Sequence, residues 1–327
     1  MEIIRGWHNL KNCKDTVVTL GNFDGVHRGH QTLLTTLKNL GQQAGLPTTV
    51  VLFEPHPKAF FNPANAPLLI TPLHEKLRLL ADFGIDRVVC LAFNQRLSQL
   101  PAEQFVKDLL VRDLQAKHIL VGDDFCFGYQ RQGNITLLTQ LGVTQGFMVT
   151  SLSAYCSDNQ RISSSLIRRA LAEGDCEVAE QLLGRPYHIA GWVRHGDKRG
   201  RTLGFPTANI AVKQHQLAIP YGIYVVAVTG ITGKLLFGVA SLGVRPTLEV
   251  APVLWLEVHL FDFHGSLYDQ KMGVHFLHKL RDELTFPTIA TMVEQMHRDV
   301  AAARSFIATN TTGKSMELAD ELSNKAL

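Results

Sequence analysis

Two imidazoles stand three residues apart in Gly21-Asn22-Phe23-Asp24-Gly25-Val26-His27-Arg28-Gly29-His30. The residues before this stretch, Thr16 to Leu20, are β-branched and apolar, as a buried strand requires; Leu33, Leu34, Leu37 and Leu40 after it repeat at helical spacing. His27 and His30 therefore address one ligand from a helix start. There the unsatisfied N–H groups and the positive dipole end favour phosphate, and Gly21, Gly25 and Gly29 let the backbone approach it. A second helix start, Arg161-Ile162-Ser163-Ser164-Ser165-Leu166-Ile167-Arg168, offers hydroxyls and, one turn in, a forked guanidinium suited to phosphate.

Two further constellations lie in the second half of the chain. Gly196-Asp197-Lys198-Arg199-Gly200-Arg201-Thr202-Leu203-Gly204-Phe205-Pro206-Thr207-Ala208-Asn209 combines glycines, basic side chains and the oxygen donors Thr207 and Asn209 in a loop able to wrap a triphosphate. It lacks the Gly-Lys-(Ser/Thr) ending of a P-loop. Trp255-Leu256-Glu257-Val258-His259-Leu260-Phe261-Asp262 alternates, so Trp255, Glu257, His259 and Phe261 share a strand face. A carboxylate among aromatic rings is poorly hydrated and so a candidate general base; Asp262 is the alternative.

The elements that must position these residues follow from periodicity. Strands are expected at 17–20, 49–53, 87–92, 118–121 and 147–152, and helices near 30–44, 72–83, 102–114, 134–141 and 164–171. That alternation predicts a parallel sheet wound with helices, with ligands at the carboxyl ends of its strands. Two more segments fall on this edge. One is Phe53-Glu54-Pro55-His56-Pro57, with His56 as ligand or as part of a stiff turn. The other is Gly122-Asp123-Asp124-Phe125-Cys126-Phe127-Gly128, whose rings line a pocket or join the core. The character changes at Gly184-Arg185-Pro186-Tyr187. Short strands are expected at 188–194, 208–212, 222–228, 235–241, 253–261 and 272–276, separated by Gly and Pro turns: a small closed or nearly closed barrel. A last helix over 288–306 carries Ile289, Met292, Val293, Met296 and Val300 on one stripe that should pack on the barrel. The predicted domains are 1–183 and 184–308, with 309–327 a frayed tail.

A chain of 327 residues favours two domains. Its 46% hydrophobic and 19% charged residues are ordinary for a globular protein. A formal charge of +3 without a Lys/Arg run gives no nucleic-acid footprint and suits anionic small molecules. Five scattered cysteines without a Cys-x-x-Cys pair argue against a disulfide framework or a zinc site. No apolar run reaches the ~20 residues of a membrane span, and the N-terminus lacks a signal-peptide core. The expectation is a cytoplasmic protein that needs neither nucleic acid nor membrane, with transient self-association left open.

His27-Arg28-Gly29-His30 resembles the histidine–x–glycine–histidine signature of the α/β nucleotidyltransferases. With its Gly21–Gly25 lead-in it resembles more specifically the bacterial FAD synthetases, two-domain proteins with a riboflavin kinase and an FMN adenylyltransferase. Ile162–Arg168 is similar to that family's Ile-Ser-Ser-(Ser/Thr)-x-x-Arg segment, and Gly204–Asn209 to the kinase motif Gly-Phe-Pro-Thr-Ala-Asn. The resemblance runs from about residue 16 to 304. It implies an α/β nucleotidyltransferase-type parallel-sheet domain, then a small antiparallel β-barrel domain with a C-terminal helix. The activities implied are phosphorylation of riboflavin to FMN and adenylylation of FMN to FAD, with ATP as co-substrate and Mg²⁺ as cofactor. His27, His30 and Arg168 would be catalytic in the first domain and Glu257 in the second. Gly21, Asn22, Asp24, Gly25, Ser164, Ser165, Gly196, Gly204, Thr207 and Asn209 would hold ATP, with Thr207 and Asn209 on the metal. Phe125, Phe127, Arg245 and Arg281 would contact flavin, although a charged helix entry would look the same at Arg281. Cys126 stands where the family has a basic residue. The alternatives are a single-activity kinase with the first domain as scaffold, and a non-enzymatic flavin-binding regulator. His27, His30, Ser164 and Arg168 argue against the first, Glu257 and Asn209 against the second.

Overall fold

A computed structural model describes residues 1–10, 13–157, 160–195, 203–212, 218–231, 233–244 and 254–323, with backbone alone over 311–323. In chain order the first elements are β1 (Glu2–Arg5), β2 (Thr16–Leu20), α1 (Arg28–Ala44), β3 (Thr48–Glu54), α2 (Pro57–Phe61), α3 (Leu73–Asp82), β4 (Arg87–Ala92), α4 (Gln95–Ser98) and α5 (Ala102–Gln104). A π-helical run, Phe105–Asp113, continues α5. After it come β5 (Ala116–Gly122), α6 (Ile135–Gln145), β6 (Met148–Leu152), the two-residue strands β7 (Cys156–Ser157) and β8 (Gln160–Arg161), α7 (Ser164–Glu173) and α8 (Cys176–Leu183).

Six of these strands form a parallel sheet in the order β1-β4-β3-β2-β5-β6. Alternation divides its core between two faces. Val18, Leu20, Val51, Val89, Ile119 and Val121 pack with Phe105, Leu109 and Leu110, while Val17, Val50, Leu52, Val88 and Leu120 pack with Leu34, Leu37, Leu77 and Leu80. Burial on both faces is what makes β2 continuously apolar. The edge strand β1 was not legible: Glu2-Ile3-Ile4-Arg5 has only two apolar residues, and its strand character comes from pairing with β4.

The barrel strands are β9 (Tyr187–Arg194), β10 (Ala208–Val212), β11 (Gly222–Thr229), β12 (Leu236–Val244), β13 (Leu254–Leu260) and β14 (Lys271–Arg281), followed by α9 (Ile289–Ser323). They close antiparallel in the order β10-β13-β12-β11-β14-β9. Tyr224, Leu256, Val258, Val274 and Phe276 are buried in its interior. On the outside Val225, Ala227 and Leu277 lie under Val300, Ala303, Phe306 and Ile307 of α9.

By contacts the compact units are Met1–Ser164 and Ser165–Leu327, so α7 and α8 group with the barrel, whereas the change of sequence character lies at 183/184. The reason is packing: α8 buries Cys176, Ala179 and Leu183 and lies against β9 and β14. The helical backbone of α9 runs on to Ser323, past the expected end near 308, with Thr309 and Asn310 donating to the carbonyls of Ser305 and Phe306. Of the expected stripe, Met292, Val293, Met296 and Val300 are half-buried while Ile289 is 67% exposed, and Asp299 and Ala303 are buried beside them.

Candidate active sites

In the first unit the chain runs outward from β2 in both directions: β3, β4 and β1 to one side, β5 and β6 to the other. The carboxyl ends of β2 and β5 therefore flank the switch-point crevice, where α/β sheets bind ligands. The loop that leaves β2 is held in an unusual backbone. Phe23, Gly25 and Val26 all have positive φ (48°, 88° and 41°), a conformation costly for a buried, β-branched valine. His27 caps α1: its Nδ1 accepts the backbone N–H of His30 at 3.3 Å, which places the ring's N–H at Nε2. The two imidazoles stack at 3.6 Å between centroids, with Phe23 4.9 Å from the His30 ring. A Cβ at Gly29 would press on the His27 ring at 3.3 Å, so the motif glycine makes room for the stack. The Asn22 Oδ1 is buried and meets no donor among the described residues, an acceptor suited to a ligand hydroxyl, amine or water.

Asp24, expected at the ATP site, has a buried carboxylate that accepts the backbone N–H groups of Ile70 and Thr71 at 3.1 Å, an acceptor-only group serving backbone donors. Ser164 Oγ donates to the Asp24 carbonyl at 2.9 Å, so the loop is tied to the start of α7. Ser165 and Arg168 lie on the first turns of that helix, in the second unit.

Phe127 is core: it is buried against Phe105, and its ring covers Gly133. Phe125 stacks on it at 5.5 Å and is half-buried. An aromatic surface missed by sequence reading stands at the carboxyl ends of β3 and β4. There Phe61, 68% exposed, packs edge-on to Phe60 and Phe93, and Phe93 packs edge-on to Phe53. Exposed aromatics beside a binding crevice carry no periodic signal. His56 caps α2, with Nδ1 accepting the Lys58 N–H at 3.1 Å.

In the barrel, register assembles the second site. Arg194, Asn209, Glu257 and Ser241 are consecutive cross-strand partners over β9, β10, β13 and β12, side by side on the outer face. Arg194 and Ser241 were not singled out in the sequence, because only pairing brings them to Glu257. Gly204 turns with φ 85°. The next residue, Phe205, is buried between the rings of His259 (5.3 Å) and His297 (4.9 Å), which anchors the Gly204–Asn209 segment. Asn209 Nδ2 donates to the Thr207 carbonyl at 3.3 Å, fixing the amide so that Oδ1 is its oxygen donor. Thr207 and Asn209 thus supply neutral hard oxygens, which fit a Mg²⁺ ion that keeps most of its water. No cluster of three His, Cys, Asp or Glu able to hold a metal occurs among the described residues. Gly196 and Arg245 lie outside the described residues.

Two charged candidates have charged partners of their own. Asp262, the alternative base, is gripped by Arg304 at 2.8 and 3.0 Å, and that hydrogen bonding holds its carboxyl below the usual range, the wrong direction for a base. Arg281, expected on flavin, makes a bidentate pair with buried Asp299: Nη2–Oδ2 2.6 Å and Nε–Oδ1 2.9 Å, with Gln295 Nε2 also donating to Oδ1 at 2.9 Å. Its fork anchors β14 to α9.

Known proteins resemble this chain over most of its length. Residues 9–166 match the FAD synthetase family model and residues 183–307 the riboflavin kinase model. The bifunctional riboflavin kinase/FMN adenylyltransferase of Pseudomonas fluorescens is 46% identical over 309 residues, 94% of this chain and 98% of that protein. The proteins of the same name from Escherichia coli K12 and Haemophilus influenzae are 45% and 43% identical, over 94% of this chain and 98% and 99% of theirs. A solved Streptococcus pneumoniae chain described as a macrolide-efflux protein shares the fold at TM-score 0.81 and 29% identity, covering 95% of this chain and 99% of that one. Among the described residues here, no helix is long and apolar enough to cross a membrane. With near-complete coverage by such relatives and two family models in sequence, the chain belongs to the bifunctional riboflavin kinase/FMN adenylyltransferase family.

Proposed function

We propose that the protein makes FAD from riboflavin in two ATP-dependent steps in the cytoplasm. The barrel phosphorylates riboflavin: the terminal side-chain hydroxyl attacks the γ-phosphorus of ATP, Glu257 takes the hydroxyl proton, and ADP leaves. The parallel-sheet unit adenylylates the product: a phosphate oxygen of FMN attacks the α-phosphorus of a second ATP, and pyrophosphate leaves. That second step needs no protein nucleophile. His27 and His30 donate to the phosphates as charge builds, and Ser164, Ser165 and Arg168 hold the departing pyrophosphate. Gly21, Asn22 and Gly25 form the ATP-side loop, with Phe125 and the exposed Phe61 offered to the flavin ring. Thr207 and Asn209 would hold Mg²⁺ in the kinase, where it neutralises charge on the phosphates.

The observation that carries the reading is that one chain holds both the stacked His27/His30 pair on a helix start and the Asn209/Glu257 pair across β10 and β13. A scaffold with one live activity would not need both. The test is to incubate the pure protein with riboflavin, ATP and Mg²⁺ and to separate the flavins over time. FMN should rise first and FAD follow, and FMN supplied alone should yield FAD. If FMN accumulates without FAD the protein is a kinase only; if neither forms, it is not an enzyme of this pathway.

A further inference from the structure

His259 stands on β13 two residues beyond Glu257, so alternation puts both side chains on the outer face of the barrel. Asn209 pairs with Glu257 and Ala208 with Val258, so the antiparallel register carries Thr207 toward His259. The ladder begins at Ala208, and Pro206 and Thr207 lie beyond its backbone bonds. Pro206 has no N–H to give the sheet, but its carbonyl lies 3.0 Å from His259 Nδ1. A carbonyl only accepts, so Nδ1 carries the proton, in the neutral ring and in the imidazolium alike. The same ring is half-buried, edge-on to buried Phe205 at 5.3 Å and to buried Phe261 at 6.1 Å. Phe261 in turn carries the Arg304 guanidinium of α9, 4.5 Å from its centroid. The imidazole is thus wedged between two fixed rings, and its N–H pins the peptide that joins Pro206 to Thr207. One residue on, the Thr207 carbonyl accepts Asn209 Nδ2. A continuous path of contacts therefore runs from β13 through Thr207 to the Asn209 amide.

We propose that His259 is a positioning residue of the kinase centre, whose Nδ1–H fixes the Pro206–Thr207 peptide and with it the Thr207 and Asn209 oxygens offered to the metal. The inference rests on the assignment of those two residues to Mg²⁺. His259 acts through them and not on the substrate. Mg²⁺ demands near-ideal octahedral geometry and gives up its water reluctantly, so two neutral donors hold it only where they are well placed. A peptide free to rotate spoils that placement even when both oxygens remain. Groups that orient metal ligands in this way typically matter 10- to 100-fold in metal affinity or activity, roughly the size expected here.

The test separates the ring from its donor in the full chain. His259→Phe keeps an aromatic ring against Phe205 and removes the N–H. His259→Asn removes the ring and keeps an N–H at about the reach of Nδ1. One readout is the Mg²⁺ concentration that half-saturates FMN formation. The other does not depend on turnover: Mn²⁺ is titrated into the ADP-loaded protein and followed by water proton relaxation, the component lost in Asn209→Ala marking the kinase site. His259→Phe should raise both constants by roughly 10- to 100-fold. It should leave the unfolding midpoint and FAD formation from supplied FMN close to the parent's. His259→Asn should recover most of the metal affinity. Parent-like metal constants in His259→Phe overturn the proposal, and so does a loss in His259→Asn as large as in His259→Phe. Full Mn²⁺ binding in Asn209→Ala would instead overturn the assignment of the metal donors.

Discussion

Replacing Arg281 by Met tests whether that residue serves the fold or the flavin. Its guanidinium and the Asp299 carboxylate are 18% and 6% exposed, and two parallel N–H···O contacts join them. Methionine leaves a buried carboxylate with Gln295 as its remaining side-chain donor. Breaking a buried pair from one side costs about 3–5 kcal/mol, because the remaining charge is uncompensated. At the lower figure the midpoint of a unit of this size falls by about 6–12 °C. The double variant Arg281→Met/Asp299→Leu removes both charges and should recover most of that loss, as apolar replacements of buried pairs commonly do. Urea denaturation of the parent, both single variants and the double variant gives the coupling from a double-mutant cycle. A loss below about 1 kcal/mol in Arg281→Met would refute the structural reading. So would a normally folded variant that no longer binds riboflavin, which would return Arg281 to the flavin.

Glu257→Gln should lower FMN formation by about 10²–10⁴ while ATP and riboflavin still bind, whereas Asp262→Asn should be mild because its carboxylate is held by Arg304; near-normal turnover in Glu257→Gln would sink the assignment. His27→Ala and Arg168→Ala should stop FAD formation and spare FMN formation, and parallel loss of both products would refute two independent sites. A fragment starting at residue 165 should unfold at higher temperature than one starting at 187, because α8 buries Cys176, Ala179 and Leu183; equal midpoints would show that α7 and α8 add nothing to the barrel. Because the Glu283 carboxyl is raised in the folded state, the folded protein binds its proton more tightly than the unfolded chain does. Glu283→Gln should therefore be more stable than the parent at pH 7, with the advantage fading as pH falls toward the ordinary value near 4.5; stability curves that stay parallel across that range would contradict it.

What the sequence determined by itself was chemistry tied to local order. Thr16–Leu20 followed by a helical leucine period places His27 on a strand-to-helix turn whatever surrounds it, and β13 alternates visibly from Leu254 to Leu260. Motif order likewise separates a parallel-sheet half from a barrel half before any contact is known. What pairing and packing decided could not be read along the chain. Only the fold shows that Asp24 accepts the N–H groups of Ile70 and Thr71, nearly fifty residues away. Only the fold gives the fork of Arg281 a partner in Asp299, eighteen residues on. Arg194 carries no local signal; strand register alone puts it and Ser241 in the row that holds Glu257. Backbone periodicity is a property of neighbours in sequence. The partner of a charge is fixed by which surfaces close on it, and only the folded chain brings those surfaces together.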